Sequence, residues 1–488
     1  MLSAIWILPA LGGLIVCFLP RGAARVGAIL VALAELALTL VVAATFDASH
    51  HGYQYAEQAS WIAQFNVSYH LGVDGLSVWL LVLNALIGAL AVLATPAAWP
   101  RASAFLGLML LMEAGMAGVF LSVDLLLFYV FWEAMLIPAY FLLWLWGEGE
   151  RPNYAALKFV LFTLVGSLLM LVGVLGEYVF SSAHTFDLPA LAAQPPSPAI
   201  QFGLFALFAA AFAVKIPVWP LHSWLPDAYM SAPTPFLLLL AGVMGKTGAY
   251  GMLRVLLPLN PHPVNWWDWN WVLPVLAVIG IAWGALLALA QRDLKALVAY
   301  SSISHMGFIV LGVFALNAQG QEGALVQMLN HGIIVPALFL IVAWIYARTG
   351  SRDRSVLTGL APAMPVLAGV FLVVTMAALG LPGLNSFVGE FMTLLGAWQL
   401  SPWLAVAGCI GLILAPIYML RLFQGAMYTE VAGPPDHPAE GVVRKDMARG
   451  ELALIAPLLA LMFVLGLYPY LVVHALPALG QGMQVLHW

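Results

Sequence analysis

Charge is scarce in this chain. Asp, Glu, Lys and Arg make up 8% of its 488 residues, where a soluble domain carries about 25%. So little charge cannot build a water-facing surface, and this excludes an ordinary soluble protein. Basic runs are also missing and the formal net charge is −5, which removes nucleic acid from the partners to consider. Only two cysteines occur, Cys17 and Cys409, with no CxxC pair. An iron–sulfur or zinc framework is therefore excluded, and both read as small apolar packing residues. The first segment has no basic residue ahead of its apolar run and no small-residue cleavage site. It reads as a retained first span rather than a leader.

What is present is hydrophobic sequence: 63% of residues, with a mean hydropathy of +0.99. About 20 apolar residues cross a bilayer as a helix. The runs 2–19, 26–45, 73–95, 102–121, 124–146, 154–179, 201–221, 235–257, 271–290, 296–316, 323–347, 363–381 continuing to 399, 403–425 and 452–474 predict an all-α polytopic membrane protein of about fourteen spans.

Lys and Arg test that count independently. Placing both termini outside puts Arg21, Arg25, Arg101, Arg151, Arg292, Lys295, Arg348, Arg352, Arg354, Arg444, Lys445 and Arg449 in inward loops. The outward stretch 46–72 holds Asp47, His50, His51, Glu57 and His70, and 180–200 holds Asp187, with no Lys or Arg in either. Arg254 is the outward exception. The asymmetry follows the positive-inside rule and predicts a multi-pass protein with both termini outside.

Six ionisable residues fall deep inside predicted spans: Glu133, Lys215, Lys246, His305, His331 and Glu390. A charge at the membrane centre costs at least about 2.5–3.5 kcal/mol, so six such positions need pairing, water or neutralisation. Away from water Glu and Lys are driven toward their neutral forms, and His titrates near neutrality unaided. All three types can pass a proton; Arg, always protonated, is absent from the set. Two spans are also broken. The seventh reads FAVKIPVWPLHSWLPDAYMSAPTP and the twelfth ALGLPGLNSFVGEF, with prolines and glycines that interrupt the helical ladder. The breaks are five spans apart, and each carries a buried charge, Lys215 and Glu390, as at transport sites built from inverted repeats. His222 and Asp227 follow the first break and are candidates for feeding protons from the inner side. Asp74 and Asp124 read as helix caps, and Asp293 with Lys295 as a local ion pair. Glu35, Glu113 and Glu177 are either ion-path residues or contacts to neighbouring helices.

The segments FYVFWEAMLIPAYFL, FAVKIPVWPLHSWLPDA, GVMGKTGAYGMLR, AQRDLKALVAYSSISHMGF and GLPGLNSFVGEF resemble, in order and over nearly the whole chain, the antiporter-like subunit M family of respiratory complex I (NADH:quinone oxidoreductase). This family is the bacterial counterpart of mitochondrial NADH dehydrogenase subunit 4. The resemblance implies two inverted five-helix repeats, 102–258 (spans 4–8) and 271–425 (spans 9–13). Three spans (1–101) precede them, and an inner loop and last span (426–488) follow, all in one membrane domain. It implies that Glu133 pairs with Lys215, that Lys246 is the central relay residue, that His305 and His331 connect the water chain, and that Glu390 is the terminal residue. Related subunits L and N and Mrp antiporter subunits usually carry lysine at that last position, so glutamate favours the M type.

The implied activity is proton translocation in a bacterial inner membrane, driven by redox energy from neighbouring subunits. N-type and L-type antiporter-like subunits are the expected flanking partners. No GxGxxG nucleotide site, flavin signature or iron–sulfur cysteines occur in this chain, so FMN and iron–sulfur clusters are expected in partner subunits. The alternatives are an Mrp-type cation/proton antiporter subunit, the equivalent subunit of a membrane-bound hydrogenase complex, and a membrane cytochrome using His305 and His331 as haem ligands.

Overall fold

The long apolar runs become helices with one face for lipid and one for protein. Pro152–Phe180 shows how: Leu157, Leu161, Leu164, Leu168, Val172, Leu175 and Val179 point outward at helical spacing. Ala155, Ala156, Gly166, Ser167, Gly173 and Glu177 are buried on the other side. Small residues on the inner face let helix backbones approach, which is how membrane helices gain packing where lipid is as apolar as leucine.

The structure, a computed structural model, describes residues 1–50, 52–265, 271–357, 359–428 and 445–475. His51, Arg444, the rest of the predicted inner loop from 429 and the end of the chain from 476 lie outside the described residues. Among the described residues, 12 helices are long and apolar enough to cross a membrane. Two shorter apolar helices, Leu2–Phe18 and Pro365–Ala378, fall on the first and twelfth predicted spans and complete the expected set.

The chain divides into two compact units, Met1–Pro274 with the segment from Val472, and Val275–Leu471. In the first, Leu2–Phe18 lies along Ala102–Leu121; a Cβ on Gly13 would stand only 2.7 Å from the Gly107 carbonyl oxygen. Within Thr234–Leu259 every residue from 235 to 253 is buried. In the second, Leu294–Val313, Ala318–Thr349 and Asn385–Leu400 pack on one another, and a Cβ on Gly323 would meet Thr393 N at 2.5 Å.

The seventh and twelfth spans are broken where the sequence predicts. Pro198–Lys215 stops at the lysine and the chain resumes helix at Trp224–Ser231. Pro365–Ala378 and Asn385–Leu400 are separated by a turn with Gly380 at φ +80° and Gly383 at φ +94°. Two further interruptions were not expected. The fifth span is two pieces, Leu125–Ala134 and Leu136–Trp146. The eighth contains π-helical turns, Leu240–Met244 and Met252–Leu256, on either side of Gly245–Gly251. The stretch 46–72 also holds an antiparallel hairpin, Gln54–Ile62 with Val67–Val73, turning through Asn66 at φ 51°. Its two register irregularities blur the alternation that would reveal strands in sequence.

One device occurs in both units. Asp124 caps Leu125–Ala134 by accepting from Leu126 N and Leu127 N, while the backbone there pairs antiparallel with Asp187 through Leu125 N to Phe186 O at 2.7 Å. Asp293 caps Leu294–Val313 through Lys295 N and Ala296 N and pairs likewise with Asp353, Leu294 N donating to Arg352 O at 2.9 Å. The side-chain ion partner of Asp293 is Arg352, at 3.3 Å, where the sequence suggested Lys295.

Candidate functional site

Glu133, Lys215 and Lys246 lie in the first unit; His305, His331 and Glu390 lie in the second. Each of the six stands at an irregularity of its own helix or packs against one.

Glu133 is the second-last residue of Leu125–Ala134, just before the interruption at Met135. Lys215 ends its helix and is 1% exposed. The turn that follows is held by Val218 N donating to Ala213 O at 2.9 Å and Trp224 Nε1 donating to Val214 O at 2.9 Å. These bonds satisfy carbonyls that the prolines leave open. Glu133 is the acid whose charge acts on Lys215, but the two do not bond. Lys215 Nζ and Glu133 Oε1 are both buried without a hydrogen-bond partner. The ammonium instead sits over Trp132, 4.9 Å from the ring centroid. A desolvated cation–π contact contributes about 2 kcal/mol, less than the several kcal/mol that burying an ion costs. The group is held in place but not locked in an ion pair, which suits proton exchange.

Lys246 is fully buried on the short α-helical piece between the two π turns. A π turn shifts the backbone ladder to i→i+5 and frees carbonyls; here Lys246 Nζ donates to Ala241 O at 2.5 Å. Gly248, two residues on, is where this helix meets Lys215: a Cβ there would lie 2.7 Å from Ile216 Cγ1 and 3.1 Å from Lys215 Cβ. The missing side chain thus brings the two lysine-bearing helices together.

In the second unit Glu390 is 1% exposed, one turn into the restarted half of the twelfth span. Three groups converge on its Oε1: His305 Nδ1 at 2.9 Å, Ser386 Oγ donating at 3.0 Å and Gln327 Nε2 donating at 3.1 Å. Oε2 has no hydrogen-bond partner and faces Gly380, whose missing Cβ would stand 3.1 Å away. His305 is 3.4 Å from Tyr418 OH through Nε2, and its ring centroid is 6.1 Å from that of His331. A cavity of about 10 Å³, lined by Ser301, His305, Gln327, His331 and Ser386 among others, is room for about one water.

Gln327, Ser386, Asn330 and Tyr418 belong to this cluster although nothing in charge or hydropathy marks them along the chain. Asn330 Nδ2 donates to Asn385 O at 2.7 Å, tying the helix at the break. The available signal was polar residues at i+3 or i+4 from one another inside spans: Gln327 with Asn330 and His331, and Ser386 with Glu390.

Asp227 and His222 fall outside both clusters. Asp227 is taken by Lys158, at 2.7 Å and partly exposed, a partner the sequence did not suggest. His222 sits half-buried in the turn after Lys215, with Lys158 as a neighbouring charge. Arg254, the outward exception, is not a loop charge: it forms a buried pair with Asp74 and donates to Tyr53 OH at 3.1 Å.

Residues 122–415 match the family described as NADH:quinone oxidoreductase/Mrp antiporter, TM. The NADH-quinone oxidoreductase subunit M of Mycobacterium tuberculosis is 39% identical, over 96% of this chain and 91% of that protein. The same subunit of Rhodobacter capsulatus is 39% identical over 100% and 97%. Among solved structures, a chain of respiratory complex I from Thermus thermophilus with bound NADH superposes with a TM-score of 0.91 at 36% identity, covering 100% of both chains. A chain of the Mrp complex from Dietzia sp. gives 0.84 at 25% identity, covering 99% of this chain and 52% of that one. Identity, coverage and superposition agree: the chain belongs to the NADH:quinone oxidoreductase/Mrp antiporter family of membrane proteins and, within it, to the subunit M branch.

Proposed function

We propose that this chain is a proton-translocating membrane-arm subunit of an NADH:quinone oxidoreductase. The observation that carries the reading is Lys215, a buried ammonium at a helix break that feels Glu133 yet is bonded to nothing. A structural ion pair would be closed; an open one can change protonation. Lys246 on its π-flanked turn and the His305–Glu390 pair are the further relay groups, with His331 beside His305. His222 and Asp227 are candidates for proton uptake on the inner side. Moving one elementary charge against 100 mV costs about 2.3 kcal/mol. Redox chemistry in partner subunits that hold FMN and iron–sulfur clusters supplies that energy. The partners are other subunits of the complex, with N-type and L-type antiporter-like chains as immediate neighbours.

The repeat organisation, 102–258 and 271–425, is supported by the shared device of a capping aspartate with an antiparallel backbone bridge, Asp124 with Asp187 and Asp293 with Asp353. The Lys and Arg distribution supports termini on the outer side of a bacterial inner membrane. Lys215→Ala and Glu133→Ala test the function: each is expected to reduce pumping and coupled quinone reduction sharply in an assembled complex. Normal pumping by both would overturn it. Co-purification separates it from the Mrp reading, since flavin and iron–sulfur proteins travel with an oxidoreductase subunit and not with an antiporter.

A further inference from the structure

Two carboxylates take no part in the relay above and are as deeply buried as its members. Glu35, on Arg21–Ala44, and Glu113, on Ala102–Leu121, both have 0% exposure. They lie within hydrogen-bonding reach of each other. All four of their oxygens lack any donor. Between these helices runs Ser77–Ala94, packed on both. It contributes Asn84, whose Nδ2 donates to the Glu113 backbone carbonyl at 3.1 Å and whose Oδ1 is buried without a partner. One turn on, Gly88 makes room for Glu113: a Cβ there would overlap its carboxylate. Asn84 and Gly88 share a helix face, so the unpartnered amide oxygen lies on the face that Glu113 covers.

Among the described residues no counter-charge bonds the pair: the elements packed on these three helices carry Cys17, Tyr69, His70, Tyr129, Glu133, Tyr140, Lys246 and Tyr250, and none of them bonds either carboxyl. Arg25, on the helix of Glu35, gives its guanidinium to Thr95 O at 2.6 Å. Two adjacent anions in a low-dielectric interior cannot both stay ionised. Two carboxyl oxygens bond one another only when a proton lies between them.

We propose that Glu35 and Glu113 hold a proton between them, forming a proton-binding site on the second, third and fourth spans that is separate from the relay. The shared proton makes an O–H···O⁻ bond across the two helices. A second proton neutralises the pair, so the site steps between one and two protons. The inference stands on the packing of these helices and not on the chain's place in an oxidoreductase.

The test is infrared difference spectroscopy of the assembled membrane complex after pH jumps, in H₂O and D₂O. It compares wild type with Glu35→Gln, Glu113→Gln and the double variant. The wild type is expected to show a protonated-carboxyl stretch at neutral pH that shifts in D₂O. That band should move in each single variant and disappear in the double. Gly88→Ala keeps both carboxyls but displaces that of Glu113, and should shift the band without removing it, which covers a double variant that fails to assemble. A band unchanged in the double variant, or unmoved in Gly88→Ala, overturns the proposal. So does a carboxylate band that responds to sodium at fixed pH and not to the pH jump, since the oxygens would then hold a cation.

Discussion

His305 Nδ1 and Glu390 Oε1 are 2.9 Å apart, joining Leu294–Val313 to the half of the twelfth span that restarts after the break. Both are buried. Glu390 lies in the second turn of the restarted helix, and Ser386 and Gln327 donate to the same oxygen.

This arrangement ranks the effects of substitution. Ser386→Ala removes one of three donors and is expected to cost Glu390 about 1 kcal/mol of hydrogen bonding, with a modest loss of pumping. Glu390→Gln removes the titratable group and should lower pumping far more. Proton uptake by inverted vesicles measures both; equal losses would show that Ser386 does more than orient the carboxylate.

Lys215→Ala and Glu133→Ala should each lower coupled proton transfer by at least about a hundredfold, the lower end of what a positioned acid–base group contributes. Trp132→Leu should give a smaller loss, since it leaves both titratable groups in place while removing the cation–π support of Lys215 and the Trp132 bond to Ser167. Quinone reduction and proton flux measured on the same vesicles give the three values and their order.

Gly248→Val tests the packing that brings the lysine-bearing helices together. Its Cβ would come within 2.7 Å of Ile216 Cγ1, an overpacking that costs about 1–3 kcal/mol. The expected result is lower thermal stability of the assembled complex together with reduced pumping, although no ionisable residue has changed. Unaltered stability and pumping would show that the helices adjust freely there.

Arg254→Ala leaves Asp74 charged and buried without its partner, which costs about 3–5 kcal/mol. Little of the subunit should then assemble, as read by native gel electrophoresis of solubilised membranes. Arg254→Leu combined with Asp74→Leu should recover much of that loss, because no unpaired ion remains.

Charge scarcity and the placement of Lys and Arg made the membrane class, the span count and the two proline-glycine breaks readable along the chain. These depend on composition and local backbone chemistry: a proline interrupts a ladder wherever it occurs, and an apolar run of sufficient length crosses lipid. The hairpin at Gln54–Val73 was not readable, because its register irregularities and partly exposed faces leave no clear alternation. The π turns around Lys246 were not readable either, since a shift from i→i+4 to i→i+5 bonding leaves no mark in residue type.

The sequence by itself determined which titratable residues lie within the spans, since that needs only hydropathy. Which of them meet was decided by tertiary packing. Glu390 meets His305 across helices, whereas Lys215 takes the face of Trp132 and not a bond to Glu133. Glu113 lies against Gly88, whose missing side chain leaves room for its carboxylate, and Glu35 reaches it from another helix. The physical reason is that a charge's partner in a low-dielectric bundle is fixed by helix rotation and by the small residues that set helix separation, and these are properties of several helices at once.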